Sequence, residues 1–188
     1  MMIDPAPTLL GALLLLVVTL YRFRPHIRRW FGWRKPSQRR RERQARRNLA
    51  KLATIPEPGR KFAYLRKIDP FTFEEMILEA LELRGHKIKR NHRYTGDGGI
   101  DGRVWLNGEL YIIQAKRYSG HITRSHVNDF SYLVEDYNCK GLFIHTGRTG
   151  KASHHIANKD SRISIISGQR LLDLLAYPEM VGERQSRA

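Results

Sequence analysis

Gly96-Asp97-Gly98-Gly99-Ile100-Asp101-Gly102, followed by Gln114-Ala115-Lys116, is the stretch on which the reading of this chain turns. Asn107-Gly108 sits between the strand-like runs Ile100–Leu106 and Glu109–Lys116. It is a strong two-residue hairpin signal, because both turn positions must accept positive φ. With that turn Leu106 faces Glu109, and Asp101 stands opposite Gln114. Facing residues of an antiparallel pair hold their Cβ atoms roughly 4.5–5.5 Å apart, close enough to share one cation. Lys116 lies two residues past Gln114 and therefore on its face, while Ala115 points to the other. An acid, an amide and a lysine so clustered can hold a divalent metal against a phosphodiester.

The same three residue types also fit an ion pair on a solvated hairpin. Three features count against that. Glycines at 96, 98, 99 and 102 suit close backbone approach and cost stability where no geometry demands them. Ile112, Ile113 and Ala115 make the second strand apolar on both faces, so the hairpin reads as interior. A buried charge set without a function is expensive.

Upstream, Phe73, Met76, Ile77, Ala80 and Leu81 recur at helical spacing up to Gly85, predicting a helix over 71–84. Glu75, Glu79 and Glu82 share one face and read as a solvated stripe. Glu74 lines up with Ile77, Leu78 and Leu81 and borders the buried seam. It is the helix acid expected to reach the sheet.

Further strands are expected at His86–Lys89, Gly141–Thr146 and Arg162–Ile166. Helices are expected around Val127–Tyr137, over Gly150–Asn158 and over Gln169–Leu175. Helix, hairpin, then alternating helix and strand give an α/β fold with a mixed sheet flanked by helices.

The 188 residues carry a formal net charge of +16. This balance implies nucleic acid or an anionic membrane as partner. Cys139 is the single cysteine, which excludes an intramolecular disulfide. The eight histidines form no zinc-binding spacing. Pro5 to Tyr21 is uncharged and leucine-rich, spanning roughly 25 Å as a helix. Arg22, Arg24, Arg28 and Arg29 follow it, with Trp30, Phe31 and Trp33 placed like an interfacial belt. Residues 1–24 therefore read as one transmembrane anchor that leaves the rest of the chain on the cytoplasmic side. Residues 25–68 read as a basic juxtamembrane arm touching anionic lipid or phosphates, 69–178 as the globular domain and 179–188 as a tail.

The chain resembles the Mrr-type restriction endonucleases, a branch of the PD-(D/E)xK nuclease superfamily. Phe73-Glu74, Gly85, GDGGIDG at 96–102, QAKRY at 114–118, Leu142–Thr146 and Ser167-Gly168-Gln169 carry the resemblance, over about 69 to 176. It implies a restriction-endonuclease-like core that uses Mg²⁺ or Mn²⁺. Asp101 matches the principal metal ligand, and Gln114 sits where most of the superfamily has a second acid. The Ala115 carbonyl completes the metal shell, Lys116 matches the catalytic lysine and Glu74 the helix acid. Arg117 and Tyr118, with Arg90, Arg93 and Arg124 as weaker candidates, are the expected contacts to substrate backbone.

The expectation is thus a metal-dependent DNA endonuclease, anchored in the bacterial inner membrane with its catalytic domain in the cytoplasm. Two copies would be needed to cut both strands. The rival readings are a membrane tether that holds DNA without cutting it, and a nuclease acting on RNA or branched DNA. Many Mrr-type proteins carry a separate DNA-recognition domain, and here an anchor and a basic arm stand in that position.

Overall fold

The computed structural model describes residues 36–91 and 99–176. The expected anchor, Arg93 and the tail lie outside them. No helix among the described residues is long and apolar enough to cross a membrane. The chain divides into two units, Met1–Arg39 and Arg40–Ala188. Of the first, only the opening of a helix is described.

Three helices come first: α1 (Pro36–Thr54), α2 (Pro58–Leu65) and α3 (Pro70–Leu83). Then follow β1 (Lys87–Arg90), β2 (Gly102–Leu106), β3 (Glu109–Lys116) and α4 (Arg124–Asp136). The chain continues through β4 (Lys140–His145), α5 (Lys151–Lys159), β5 (Ile163–Ile166) and α6 (Gly168–Leu175). The sheet runs in the order β1-β2-β3-β4-β5. β1, β2 and β3 pair antiparallel, whereas β3, β4 and β5 pair parallel.

The hairpin has the expected register, with Leu106 opposite Glu109 and Gly102 opposite Ile113. Asn107 and Gly108 have φ of 51° and 84°, the left-handed values such a turn needs. Because β3 alternates, Ile113 and Ala115 join Leu142 and Ile144 in one core with α1, α3 and α6. Ile112 joins Phe143, Ile163 and Ile165 in a second core with α4 and α5. Helices thus cover both faces of a mixed sheet.

Helix α3 starts at Asp69, whose Oδ2 accepts from the Thr72 N–H at 2.9 Å, with Pro70 filling the first helical position. It stops at Gly85, where φ is 83° and the N–H donates to the Glu82 carbonyl at 2.9 Å.

Two expectations are corrected here. The globular part begins well before residue 69, because the basic arm folds onto the domain as α1, with Ala45, Leu49 and Leu52 in the core. Their spacing places all three on one side of the helix. Nor is the glutamate stripe of α3 solvated. Glu75 is 5% exposed and Glu79 fully buried. The Arg90 guanidinium enters this layer from β1, donating to Glu75, to Glu79 at 3.0 Å and to Glu82 at 2.7 Å. Arg46 of α1 donates to Glu79 from the other side at 2.6 Å. Burial works against the Arg90 charge, but Glu82 and Glu75 outweigh it and hold its pKa above the ordinary arginine value. Arg90 is thereby removed from the substrate-contact candidates.

Leu49→Ala should lower unfolding free energy by about 2–5 kcal/mol through the cavity it leaves. Arg90→Ala should cost about 3–5 kcal/mol, because its carboxylates stay buried without their cation. Arg47→Ala, an exposed change on α1, should stay within about 0.5 kcal/mol. Denaturant melts of the full chain check all three. Equal effects of Leu49→Ala and Arg47→Ala would refute the docking of α1.

Candidate active site

β2 and β3 run antiparallel, so the start of one lies beside the end of the other. Asp101, just ahead of β2, donates its N–H to the Ile113 carbonyl at 2.8 Å. Its carboxylate oxygen Oδ2 accepts from the Ala115 N–H at 2.6 Å. Gln114 is 7% exposed, and its Nε2 donates to the Gly99 carbonyl at 2.9 Å. With the nitrogen so engaged, the amide oxygen is the atom left to act as a ligand. Gly99 is required twice over: its φ is 92°, and a Cβ there would lie 2.7 Å from the Gln114 nitrogen.

Glu74 reaches this corner through a second close approach. A Cβ on Gly102 would lie 2.6 Å from a methyl carbon of Leu78. Leu78 is one helical turn past Glu74 and on the same side of α3. Seating Leu78 on the residue after Asp101 brings the Glu74 carboxyl into the field of Asp101 and Lys116. Burial first, and the Asp101 charge second, push the Glu74 pKa up to about 8. Burial also pushes Asp101 up to about 6, against the pull of the Ala115 N–H and Lys116. Two carboxyls raised in this way sit where a cation would stabilise both.

The structure therefore brings Glu74, Asp101, Gln114, Ala115 and Lys116 together. Tyr118 is turned away from them, with its ring stacked on His126 and its hydroxyl 3.2 Å from the His126 Nε2. Arg117 donates to the Arg66 carbonyl. Arg124 opens α4 as an exposed residue.

Thr146 is a further member that the sequence did not single out. It is fully buried, and its three polar atoms make four hydrogen bonds, three of them to the chain at and just past the end of β3. Its N–H donates to the Lys116 carbonyl at 3.2 Å. Its hydroxyl accepts from the Tyr118 N–H at 3.0 Å and donates to the Tyr118 carbonyl at 2.9 Å. Its carbonyl accepts from Arg66 Nη2 at 3.0 Å. A threonine ending a strand carries no distinctive spacing, which is why the pattern of residues alone passes over it.

The donors available are all oxygens: two carboxylates, one amide and a backbone carbonyl. Among the described residues no group of three or more His, Cys, Asp or Glu is set to enclose an ion. Such a set suits a hard cation that keeps much of its own water, and fits Mg²⁺ or Mn²⁺ better than zinc.

The family model for the Mrr-type catalytic domain, described as a restriction endonuclease, matches residues 65–175. A solved structure titled as the protein of unknown function AF1548 is similar at a TM-score of 0.46 and 18% identity. That similarity covers 61% of this chain and 67% of the other. No curated protein matches.

The raised carboxyl pKa values have a consequence for stability. Between the ordinary values of 3.8 and 4.5 and the folded values of about 6 and about 8, the folded state holds protons that the unfolded chain has lost. The contribution of these two groups therefore falls as pH rises through that window. Without divalent metal, Glu74→Gln should melt above the parent chain at pH 8 and level with it at pH 5. A melting-temperature gap that is the same at both pH values would contradict the burial of this acid. Thr146→Val keeps the size of the side chain and removes the hydroxyl ties. It should lower turnover about 10-fold or more, with the overall fold intact by circular dichroism.

Proposed function

We propose a mechanism from one premise: the chain belongs to the restriction endonuclease family of the Mrr type. It is a nuclease that hydrolyses DNA phosphodiester bonds with Mg²⁺ or Mn²⁺ at Asp101, the Gln114 amide oxygen and the Ala115 carbonyl. The observation that carries this reading is the pair of half-buried acids, Asp101 and Glu74, raised to about 6 and about 8 beside Lys116. When bound, the ion would supply Lewis-acid stabilisation of the phosphate and a water of lowered pKa.

The protein groups do the rest. The Ala115 N–H fixes the Asp101 carboxylate, and the Gly99 carbonyl fixes the Gln114 amide, so neither must reorganise during the reaction. Lys116 Nζ offsets charge growing on the phosphate oxygens. Glu74, which faces Asp101 and Lys116, would accept a proton from the attacking water once a bound cation has favoured its ionised form. A neutral amide in place of a second acid lowers the charge of the metal site, which favours one ion over two. Cutting both strands from this one site would take two copies.

We also propose that residues 1–24 anchor the chain in the bacterial inner membrane, with the nuclease in the cytoplasm. The uncharged run Pro5–Tyr21 and the arginines directly after it support this.

Full-length chain incubated with plasmid should cut in Mg²⁺ or Mn²⁺ and not in EDTA. Asp101→Ala and Lys116→Ala should each slow cutting by about 10²-fold or more while DNA binding survives. DNA binding with no cleavage under any divalent metal would favour a tether. Cleavage of RNA or a branched junction, with plasmid left intact, would reassign the substrate. Recovery of the intact full-length chain in the soluble fraction after cell lysis would overturn the anchor.

A further inference from the structure

Two arginines flank the end of β3 without a carboxylate to neutralise either of them. Arg66, the residue that caps α2, donates from Nη2 to the Thr146 carbonyl at 3.0 Å, and its guanidinium lies 5.6 Å from the Phe62 ring centre. Arg117, next after Lys116, donates from Nη1 to the Arg66 carbonyl. Both acceptors are neutral carbonyls, so neither bond supplies a counter-charge. Among the described residues neither arginine forms a salt bridge. The Nε of each is buried and meets no acceptor among the described residues, so the nitrogens left open to a ligand are Arg66 Nη1 and Arg117 Nη2, which make no bond there. An open charged donor with no carboxylate to meet it is suited to an anion. This contrasts with Arg90, a guanidinium placed purely for structure, which is surrounded by glutamates.

The two are also held in advance. The ring of Phe62 and the Thr146 carbonyl fix Arg66, and the end of α2 fixes Arg117. The same Thr146 that orders Lys116 therefore orders the arginines. Each open Nη offers a charged N–H donor for a phosphate oxygen.

We propose that Arg66 and Arg117 form a clamp for a backbone phosphate of duplex DNA adjacent to the one being cut. The inference rests on the nuclease reading and deepens it. The clamp reads no sequence, since phosphates are the same at every step, and it sets the register of the strand against Lys116.

The test uses the full-length chain carrying Asp101→Asn, which removes cutting and one repelling carboxylate. Binding of a fluorescent 20-base-pair duplex is followed by anisotropy across a salt series. Arg66→Gln and Arg117→Gln each keep a donor for the backbone carbonyl and lose the charge. Each should weaken binding about 5- to 20-fold, equally on unrelated sequences. Each should also lower the slope of log K against log salt by about 0.9, the value of one phosphate contact. Arg66→Lys, which keeps the charge, should retain the parent slope, and it serves if Arg66→Gln does not fold. With Asp101 restored, the Gln variants should raise KM several-fold. Folded Gln variants with unchanged affinity and slope would show the arginines to be braces and overturn the clamp. So would a parent chain that does not bind duplex at all. Absence of cutting by the Asp101 chain, with the salt slopes shifted as stated, would instead overturn the catalytic reading and leave the clamp standing.

Discussion

Burying acids on a helix requires a cation to meet them, and in this fold that cation is Arg90. Helix α3 is covered on nearly every side: the sheet takes its apolar residues, and α1 closes over its glutamates. Without Arg90 among Glu42, Glu75, Glu79 and Glu82, that second burial would be prohibitive. A buried ion cluster adds little net stability compared with a well-packed apolar one. What it does add is direction, since the carboxylates must meet one guanidinium from β1. That fixes the rotation of α3 about its axis. The same rotation seats Leu78 on Gly102 and turns Glu74 toward Asp101. A charge cluster remote from the chemistry thus sets one member of the site.

The field of the protein sharpens the point. A chain with a net charge of +16 should lower the pKa of its carboxyls. Glu74 and Asp101 instead lie well above their ordinary values. Burial at both positions, joined at Glu74 by the charge of Asp101, beats the long-range field. Such an arrangement is a stored cost, and one that a divalent cation would relieve.

Legibility in the sequence followed the range of the information. The hairpin register was readable because Asn107-Gly108 is a local signal. The turn fixes which residues face each other, from Leu106 and Glu109 back to Gly102 and Ile113. The span of β3 was equally readable, and the ends of α3 and the other strands fell within a few residues. The burial of Glu75 and Glu79 was not, because their partners are far away: Arg46 precedes Glu79 by 33 positions. The same holds for α1. Its Ala45–Leu49–Leu52 stripe was present, but the density of arginine around it pointed to anionic lipid or phosphates. Thr146 and Arg66, 80 positions apart, meet through a backbone carbonyl, and no residue type encodes that acceptor. Side chains that bond to backbone leave little trace in a sequence.

The position of the site follows from the mixed sheet. In an all-parallel sheet every strand ends at the same edge, and a residue ahead of a strand lies at the opposite one. Here β2 runs against β3, so Asp101 at the start of β2 meets Lys116 at the end of β3. β4 runs with β3, so Thr146, at the end of β4, arrives at that same edge. A strand with one antiparallel and one parallel neighbour is the arrangement that gathers a strand start and two strand ends in one place. The acid, the lysine and the threonine that holds the lysine's strand come from those three positions. Arg117 continues from the end of β3, and Arg66 joins through the Thr146 carbonyl, so the anionic centre and its cationic rim grow from a single strand end. Reversing β2 would separate Asp101 from Lys116 while preserving each strand's apolar pattern. The topology therefore belongs to the chemistry as much as the residues do.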